Sequence, residues 1–99
     1  MTDIEMTKAC AEAMGLNVIG EAHNGHAYWV EDDEVHDQCI YSPLTKDYQA
    51  MALVKRFRLD IHSRSDLNGW YAGNNAGMVP HVDLNHAIVE YVAKMQGEL

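Results

Sequence analysis

The sequence predicts an α+β domain (α/β class) in which helices pack on a small antiparallel sheet. Apolar residues recur at helical spacing in two segments, residues 50–57 and 84–95. A segment with strand periodicity, residues 59–62, lies between them, and the 99-residue length suits one hydrophobic core. We therefore expect a single domain over residues 1–99, with its elements in the order α-(ββ)-α-β-β-α.

The first helix is predicted over residues 3–14. Thr2 and Glu5 fit the capping-box pattern, in which each side chain accepts a hydrogen bond from a free backbone N–H of the first turn. Gly15 suits the end of the helix because glycine adopts the left-handed conformation without strain. The apolar side chains of this helix are mostly small, so it can lie close to a sheet: Ile4, Met6, Cys10, Ala11, Ala13 and Met14.

A β-hairpin is predicted next. Asn24-Gly25 is typical of a type I′ turn, so residues 17–23 and 26–30 become its two arms, although Gly20 weakens the first arm. Residues 31–38 are predicted to form a solvated loop, because adjacent carboxylates repel one another and bury no apolar surface. Residues 39–41 then form a short extended return.

The second helix follows Pro43, which cannot lie inside a helix, and Thr45 is a suitable N-cap for it. Gln49 is expected on the polar side of this helix. The apolar stripe consists of Ala50, Leu53, Val54 and Phe57.

A second hairpin and a last helix complete the fold. Residues 59–62 alternate apolar and polar, so His62 should be exposed, and residues 70–72 form the second strand. Residues 74–80 are predicted to be a loop. Asp83 is the expected N-cap of the last helix, whose apolar face should cover the hairpin together with residues 50–57.

Part of the sequence resembles a known family. Residues 41–51, from Tyr41 through Pro43 and Thr45 to Asp47, resemble the entry to a helix in the phage ABA sandwich family. The aromatic strand at Trp70-Tyr71, the Ala87-Ile88 helix and the Met14-Gly15 helix end are also similar. The resemblance is strongest over residues 41–57 and weakest over 20–40. It implies an α/β sandwich from a tailed phage or prophage, and it brings no catalytic residues.

Charge is unevenly distributed along the chain. Residues 1–45 hold nine acids and one base, Lys8, whereas residues 46–99 hold six of each, so the formal charge of −8 lies in the first half. Such a field repels nucleic acid and attracts basic protein surfaces. The candidate interaction residues are Glu31, Asp32, Asp33, Glu34 and Asp37.

Histidines offer a metal site as an alternative. His23 and His26 flank the predicted turn, and His36 and Cys39 lie further along with several acids, all competent zinc ligands. No Cys/His pair has a diagnostic spacing, so we expect exposed histidines, with no metal or cofactor.

A catalytic arrangement of a nucleophile and a base is a further alternative. His62, His81 and His86 lie near serines and acids such as Ser63, Ser65 and Asp83. No catalytic frame such as G-x-S-x-G surrounds them, and we assign no catalytic residue. A small metal-binding or histidine-dependent enzyme is the alternative function.

A local basic cluster near Trp70 and Tyr71 offers a nucleic-acid platform, but the net charge argues against one. The cluster consists of Lys55, Arg56, Arg58 and Arg64. No apolar run exceeds five residues and the N-terminus is acidic, so we expect neither a membrane span nor a secretory signal. Cys10 and Cys39 are expected to be reduced thiols, and a single disulfide between them is the alternative.

These observations predict a non-enzymatic phage or prophage accessory protein in the bacterial cytoplasm. It would act by contact with a host or phage protein that has a basic surface. Its concrete form is an inhibitor of a host nucleic-acid-binding defence protein. An exposed sheet edge could also pair with a second copy, so an oligomeric structural phage protein is a further alternative.

Overall fold

A computed structural model describes residues 2–31, 37–63, 69–74 and 77–97. Within these residues the chain forms three helices and two three-stranded antiparallel sheets, which confirms the predicted α+β class. The elements in chain order are α1 (Asp3–Ala13), β1 (Asn17–Ala22), β2 (Ala27–Glu31), β3 (Gln38–Tyr41), α2 (Asp47–Phe57), β4 (Asp60–Ser63), β5 (Trp70–Asn74), β6 (Gly77–His81) and α3 (Leu84–Gly97).

The two sheets repeat one topology. The first sheet has the strand order β1-β2-β3 and is followed by α2, and the second has the order β4-β5-β6 and is followed by α3. Each sheet is therefore a meander in which sequential strands are neighbours. Only α1 stands outside the repeated βββα unit.

The core forms where the helices pack against one another and against the two sheets. α1 packs against β1, β2 and α3, whereas α3 packs against β5, β6 and α2. The molecule measures 42 × 26 × 23 Å. The buried cluster draws on both sheets: Met6, Cys10, Ala11, Tyr28, Val30, Tyr41, Ala50, Leu53, Leu59, Ala72, Ala87, Ile88, Val89, Val92 and Ala93.

Local chemistry sets several helix ends as predicted. The Thr2 hydroxyl oxygen accepts from the Glu5 backbone N–H at 3.3 Å and donates to Glu5 Oε1 at 2.9 Å, so the return bond goes to the hydroxyl. Gly15 takes a φ of 75° directly after α1. The Asp83 carboxylate accepts from the His86 backbone N–H at 2.9 Å, which confirms the N-cap of α3.

The predictions for the start of α2 were wrong. Thr45 hydrogen-bonds Ser42 side chain to side chain at 2.7 Å, so it belongs to the preceding turn, and Lys46 is the N-cap. Gln49 is only 7% exposed. Its Oε1 accepts from the Ser42 N–H at 2.6 Å and its Nε2 donates to the Ile40 carbonyl at 2.9 Å. Gln49 therefore holds the end of β3 against α2.

The predicted type I′ turn was also wrong. β1 and β2 close at the pair Ala22 and Ala27, so residues 23–26 connect them, and a two-residue turn is excluded. His23–Gly25 forms a 3-10 turn instead, with φ values of 52° at His23 and 85° at Gly25.

Two predicted loops proved shorter. Glu31 pairs with Gln38, so these residues end β2 and begin β3 and do not belong to the loop. β6 (Gly77–His81) takes up residues 77–80 of the predicted loop 74–80. Pro80 is tolerated there because β6 is an edge strand, where a missing N–H need not break the ladder.

Candidate interaction surface

The outer face of the first sheet exposes a tryptophan. On β2, Tyr28 and Val30 are buried, whereas Trp29 between them is 42% exposed. Because side chains alternate along a strand, Trp29 lies on the face opposite the core. Ile40 of β3 pairs directly with Trp29. We call Ile19, Trp29 and Ile40 the Trp29 row.

A bulge in β1 completes this row. Val18 pairs with Val30 and Gly20 with Trp29, so Ile19 and Gly20 together oppose the single residue Trp29. Ile19 is 53% exposed. A Cβ built on Gly20 would meet no atom within 4 Å, so β1 leaves open space opposite the indole. The glycine that weakened the strand prediction thus leaves room beside Trp29.

Two of the five predicted acidic residues lie on the same side of the Trp29 row. Glu31 is half-buried and lies two residues after Trp29 on the same face of β2. Asp37 is exposed and directly precedes Gln38, the partner of Glu31. Both acids therefore lie at one end of the first sheet. Asp32, Asp33 and Glu34 lie outside the described residues.

A second group of acidic residues, which was not predicted from the sequence, lies near Tyr28. Burial raises the pKa of Tyr28, and the nearby charges of Glu21, Glu5 and Glu12 raise it further. Glu21 is the cross-strand partner of Tyr28, and α1, which carries Glu5 and Glu12, packs against β1 and β2. Three exposed carboxylates therefore lie near one phenol. The sequence signal was the seven-residue spacing of Glu5 and Glu12, which places both on one helix face.

Side chains cover part of the outer edge of β3. The Ile40 carbonyl accepts from Gln49 Nε2 at 2.9 Å and from Lys46 Nζ at 3.5 Å. An edge carbonyl already bonded in this way is a poorer template for another strand. Strand pairing with a second copy is therefore opposed at Ile40.

The C-terminal histidines form a structural cluster. The rings of His81 and His86 stack at 3.8 Å with an interplanar angle of 12°. His86 Nε2 lies 3.4 Å from Asp3 Oδ1, and His81 Nδ1 accepts from the Asp83 backbone N–H at 2.9 Å. The cluster therefore joins the first turn of α1 to that of α3.

The alternative histidine–serine arrangement, for which no catalytic residue was assigned, does not assemble around Ser63. Ser63 pairs with Trp70, and Trp70 pairs with His81. Two strand spacings, about 10 Å, separate Ser63 from His81, which is too far for a hydrogen bond. His62 is exposed as predicted, and Ser65 lies outside the described residues.

The described residues contain no group of three His, Cys, Asp or Glu side chains suited to hold a metal. His23 and His26 lie around the β1–β2 turn, and His36 is outside the described part of the chain. Cys10 and Cys39 are free thiols, the first buried and the second exposed. Burial raises the pKa of Cys10 to about 12, and its Sγ donates to the Val89 carbonyl at 3.4 Å.

The basic cluster lies at the end of α2, where Lys55, Arg56 and Arg58 are exposed. Arg64, the fourth member of the predicted cluster, lies outside the described residues. None of the described helices is long and apolar enough to span a membrane.

No family model matches the sequence, and no curated protein and no solved structure matches it either. The resemblance to the phage ABA sandwich family therefore stays a prediction from the sequence.

Proposed function

We propose that this chain is a non-enzymatic binding protein whose acidic half contacts a basic protein surface. The observation that carries the proposal is the gathering of Glu5, Glu12 and Glu21 from two elements, in the same half as Glu31 and Asp37. Among the described residues, three exposed bases lie at the end of α2, namely Lys55, Arg56 and Arg58. Lys94 is exposed on α3, and Lys8 is the exposed base of the acidic half. The charge asymmetry of the sequence thus extends to three-dimensional neighbours.

Such a surface recognises partners through its field. Clustered carboxylates speed the encounter with a basic surface and repel acidic partners, and salt screens both effects. Exposed charges contribute little to folding stability, so their removal should affect binding far more than folding.

In its concrete form, the partner is a host protein that binds nucleic acid, and the chain occupies its basic groove. The carboxylates would take the place of phosphates in that groove. The resemblance to small phage and prophage proteins supports this form, as does the acidic first half. The complex would form in the cytoplasm of the bacterial host.

Affinity capture from infected or lysogenic host cells tests the proposal. The bait variants are Glu12→Gln with Glu21→Gln, and a matched control, Asp60→Asn with Glu90→Gln, which removes the same charge from the other half. We expect wild type and control to retain a basic protein at low salt and to lose it at moderate salt. The Glu12/Glu21 variant should retain much less. A wild-type bait that retains no basic protein, or equal retention by both variants, would contradict the proposal.

A histidine-dependent or metal-binding enzyme is the second candidate. The stacked pair His81 and His86, with Asp3 Oδ1 3.4 Å from His86 Nε2, is the observation that favours it, although the described side chains are not arranged to hold a metal ion. Zinc titration by calorimetry on chelator-treated protein tests it, with His86→Gln as the comparison. Heat at micromolar zinc that disappears in His86→Gln would support this candidate, and absence of heat in wild type would remove it.

A further inference from the structure

We propose that the Trp29 row is the point where the partner inserts an arginine side chain flanked by apolar residues. The guanidinium would lie on the indole face of Trp29 and reach toward Glu31. This inference rests on the proposed function, since it names the chemistry of the partner segment that the acidic half recognises.

The geometry of the first sheet suits this contact. Trp29 lies in the middle strand with Ile40 directly across on β3 and the bulged pair Ile19 and Gly20 across on β1. Open space beside Gly20 gives access to the indole. A cation is attracted to the face of tryptophan within about 6 Å of the ring centre. The two isoleucines supply apolar surface on either side.

Charges give the contact a direction. Glu31 is two residues from Trp29 on the same face, about 7 Å along the strand, and Asp37 lies at the same end of the sheet. Lys46 lies near the other side of Ile40, with its Nζ 3.5 Å from the Ile40 carbonyl. A partner cation should therefore approach from the Glu31 end and avoid Lys46.

Arginine fits better than lysine. Its planar guanidinium can stack on an aromatic ring while its N–H groups bond a carboxylate in a fork. A second copy of this chain is a poor occupant, because residues 1–45 carry a formal −8 in each copy and would repel one another. Nucleic acid is opposed by the same field.

Tryptophan fluorescence tests the contact directly. The chain has two tryptophans, Trp29 and Trp70, so Trp70→Phe leaves Trp29 as the single reporter. The probe is a short peptide of alternating leucine and arginine, compared with leucine–lysine and leucine–glutamate peptides of equal length. We expect saturable quenching or a shift of Trp29 emission with the arginine peptide, weaker binding with lysine, and none with glutamate. Equal binding of the glutamate peptide would overturn the inference.

Calorimetry on matched variants separates the contributions. Trp29→Leu keeps apolar surface and removes the aromatic face, so it should weaken binding of the arginine peptide about 2- to 30-fold. Glu31→Gln should also weaken it, Lys46→Gln should strengthen it, and Asp60→Asn should leave it unchanged. Circular dichroism of each variant confirms that the fold is retained.

The two proposals fail in different ways. If the Glu12/Glu21 variant weakens peptide binding and Trp29→Leu does not, the inference about Trp29 is overturned and the proposed function stands. If neither variant changes binding, both are overturned. Loss of binding in both Trp29→Leu and the Glu12/Glu21 variant, with retention in Asp60→Asn, supports both.

Discussion

The two sheets of this protein share one topology and differ on their outer faces. The first sheet presents the Trp29 row next to Glu31, in the half that holds the net charge. The corresponding cross-strand row of the second sheet is His62, Tyr71 and Pro80, in a half with no net charge. The comparison shows that the strand order supplies a scaffold, while the outward-facing residues decide what the scaffold can contact.

The inner faces of the two sheets are alike. Tyr28 and Val30 of the first sheet are buried, as are Ala72 and Val79 of the second. Packing constrains these positions to apolar residues of matching size, whereas the outer positions carry no such constraint. The outer surface that a partner meets is therefore where the side chains of the two sheets can differ most freely.

Core substitutions test whether the halves fold as one unit, and they should have the largest effect. Ile88 of α3 is fully buried, so Ile88→Ala should lower the free energy of unfolding by about 2–5 kcal/mol. Because one cluster joins both sheets, Trp29 and Trp70 fluorescence should report the same urea transition in single-tryptophan variants. Two separate transitions would show that the halves fold independently and would contradict the single-domain prediction.

Glycine-to-alanine changes contrast the two sheets directly. A Cβ on Gly73 would clash with the Gly77 carbonyl oxygen and with Met78 Cα, so Gly73→Ala should destabilise by about 1–3 kcal/mol. A Cβ on Gly20 meets open space, so Gly20→Ala should be neutral or stabilise by up to about 1 kcal/mol. Thermal unfolding of the two variants checks this, and equal effects would contradict the described packing of the second sheet.

Gln49 should contribute more to folding stability than a polar helix residue usually does. Gln49→Ala removes the hydrogen bonds to Ser42 and Ile40, and the buried Ser42 N–H loses its Gln49 acceptor. The free energy of unfolding should therefore fall by about 1–3 kcal/mol. Tyr48→Ala is the neighbouring control, since Tyr48 is 68% exposed and should change stability by less than about 0.5 kcal/mol. Similar losses in urea unfolding would mean that Gln49 does not hold β3 to α2.

The free energy of unfolding should fall gradually at alkaline pH, because the core that both sheets share contains buried Cys10 and Tyr41. Burial raises the pKa of Cys10 from 9.0 to about 12, so above pH 9 the unfolded chain loses a proton that the folded chain keeps. The free energy of unfolding should therefore fall by about 1.4 kcal/mol per pH unit in this range. Burial, followed by the charge of Cys10, also raises the pKa of Tyr41, which adds to the fall above pH 10.

Urea unfolding between about pH 8 and about pH 11 measures this slope. Cys10→Ala should show a smaller slope, whereas Cys39→Ala, at an exposed position, should keep it. A slope equal in wild type and Cys10→Ala would show that the Cys10 thiol is not the group responsible.

Local chemistry made much of the fold predictable. Gly15 and Asp83 act at helix ends through their own backbone and nearest neighbours, so their roles can be read from the sequence. The sequence did not predict β6, because Gly77 and Pro80 disfavour strands in isolation. They are tolerated only because β6 lies at the edge of its sheet. The buried position of Gln49 was not predicted, because its hydrogen-bond partners depend on how β3 packs against α2.

The candidate surface was predictable in charge and not in shape. Residues 27–30 form an unbroken apolar run, so the pattern alone does not show that Trp29 faces outward while its neighbours are buried. The gathering of Glu5, Glu12 and Glu21 around Tyr28 depends on α1 packing against β1 and β2. Such contacts between distant parts of the chain are absent from any local pattern.

One titration tests the central claim that only the acidic half carries the binding surface. The amide spectrum of nitrogen-15-labelled protein would be recorded as the leucine–arginine peptide is added. The account predicts chemical-shift changes concentrated on β1, β2 and β3, largest around Trp29 and Ile40. Changes concentrated on β4, β5 and β6, or no changes at saturating peptide, would contradict it.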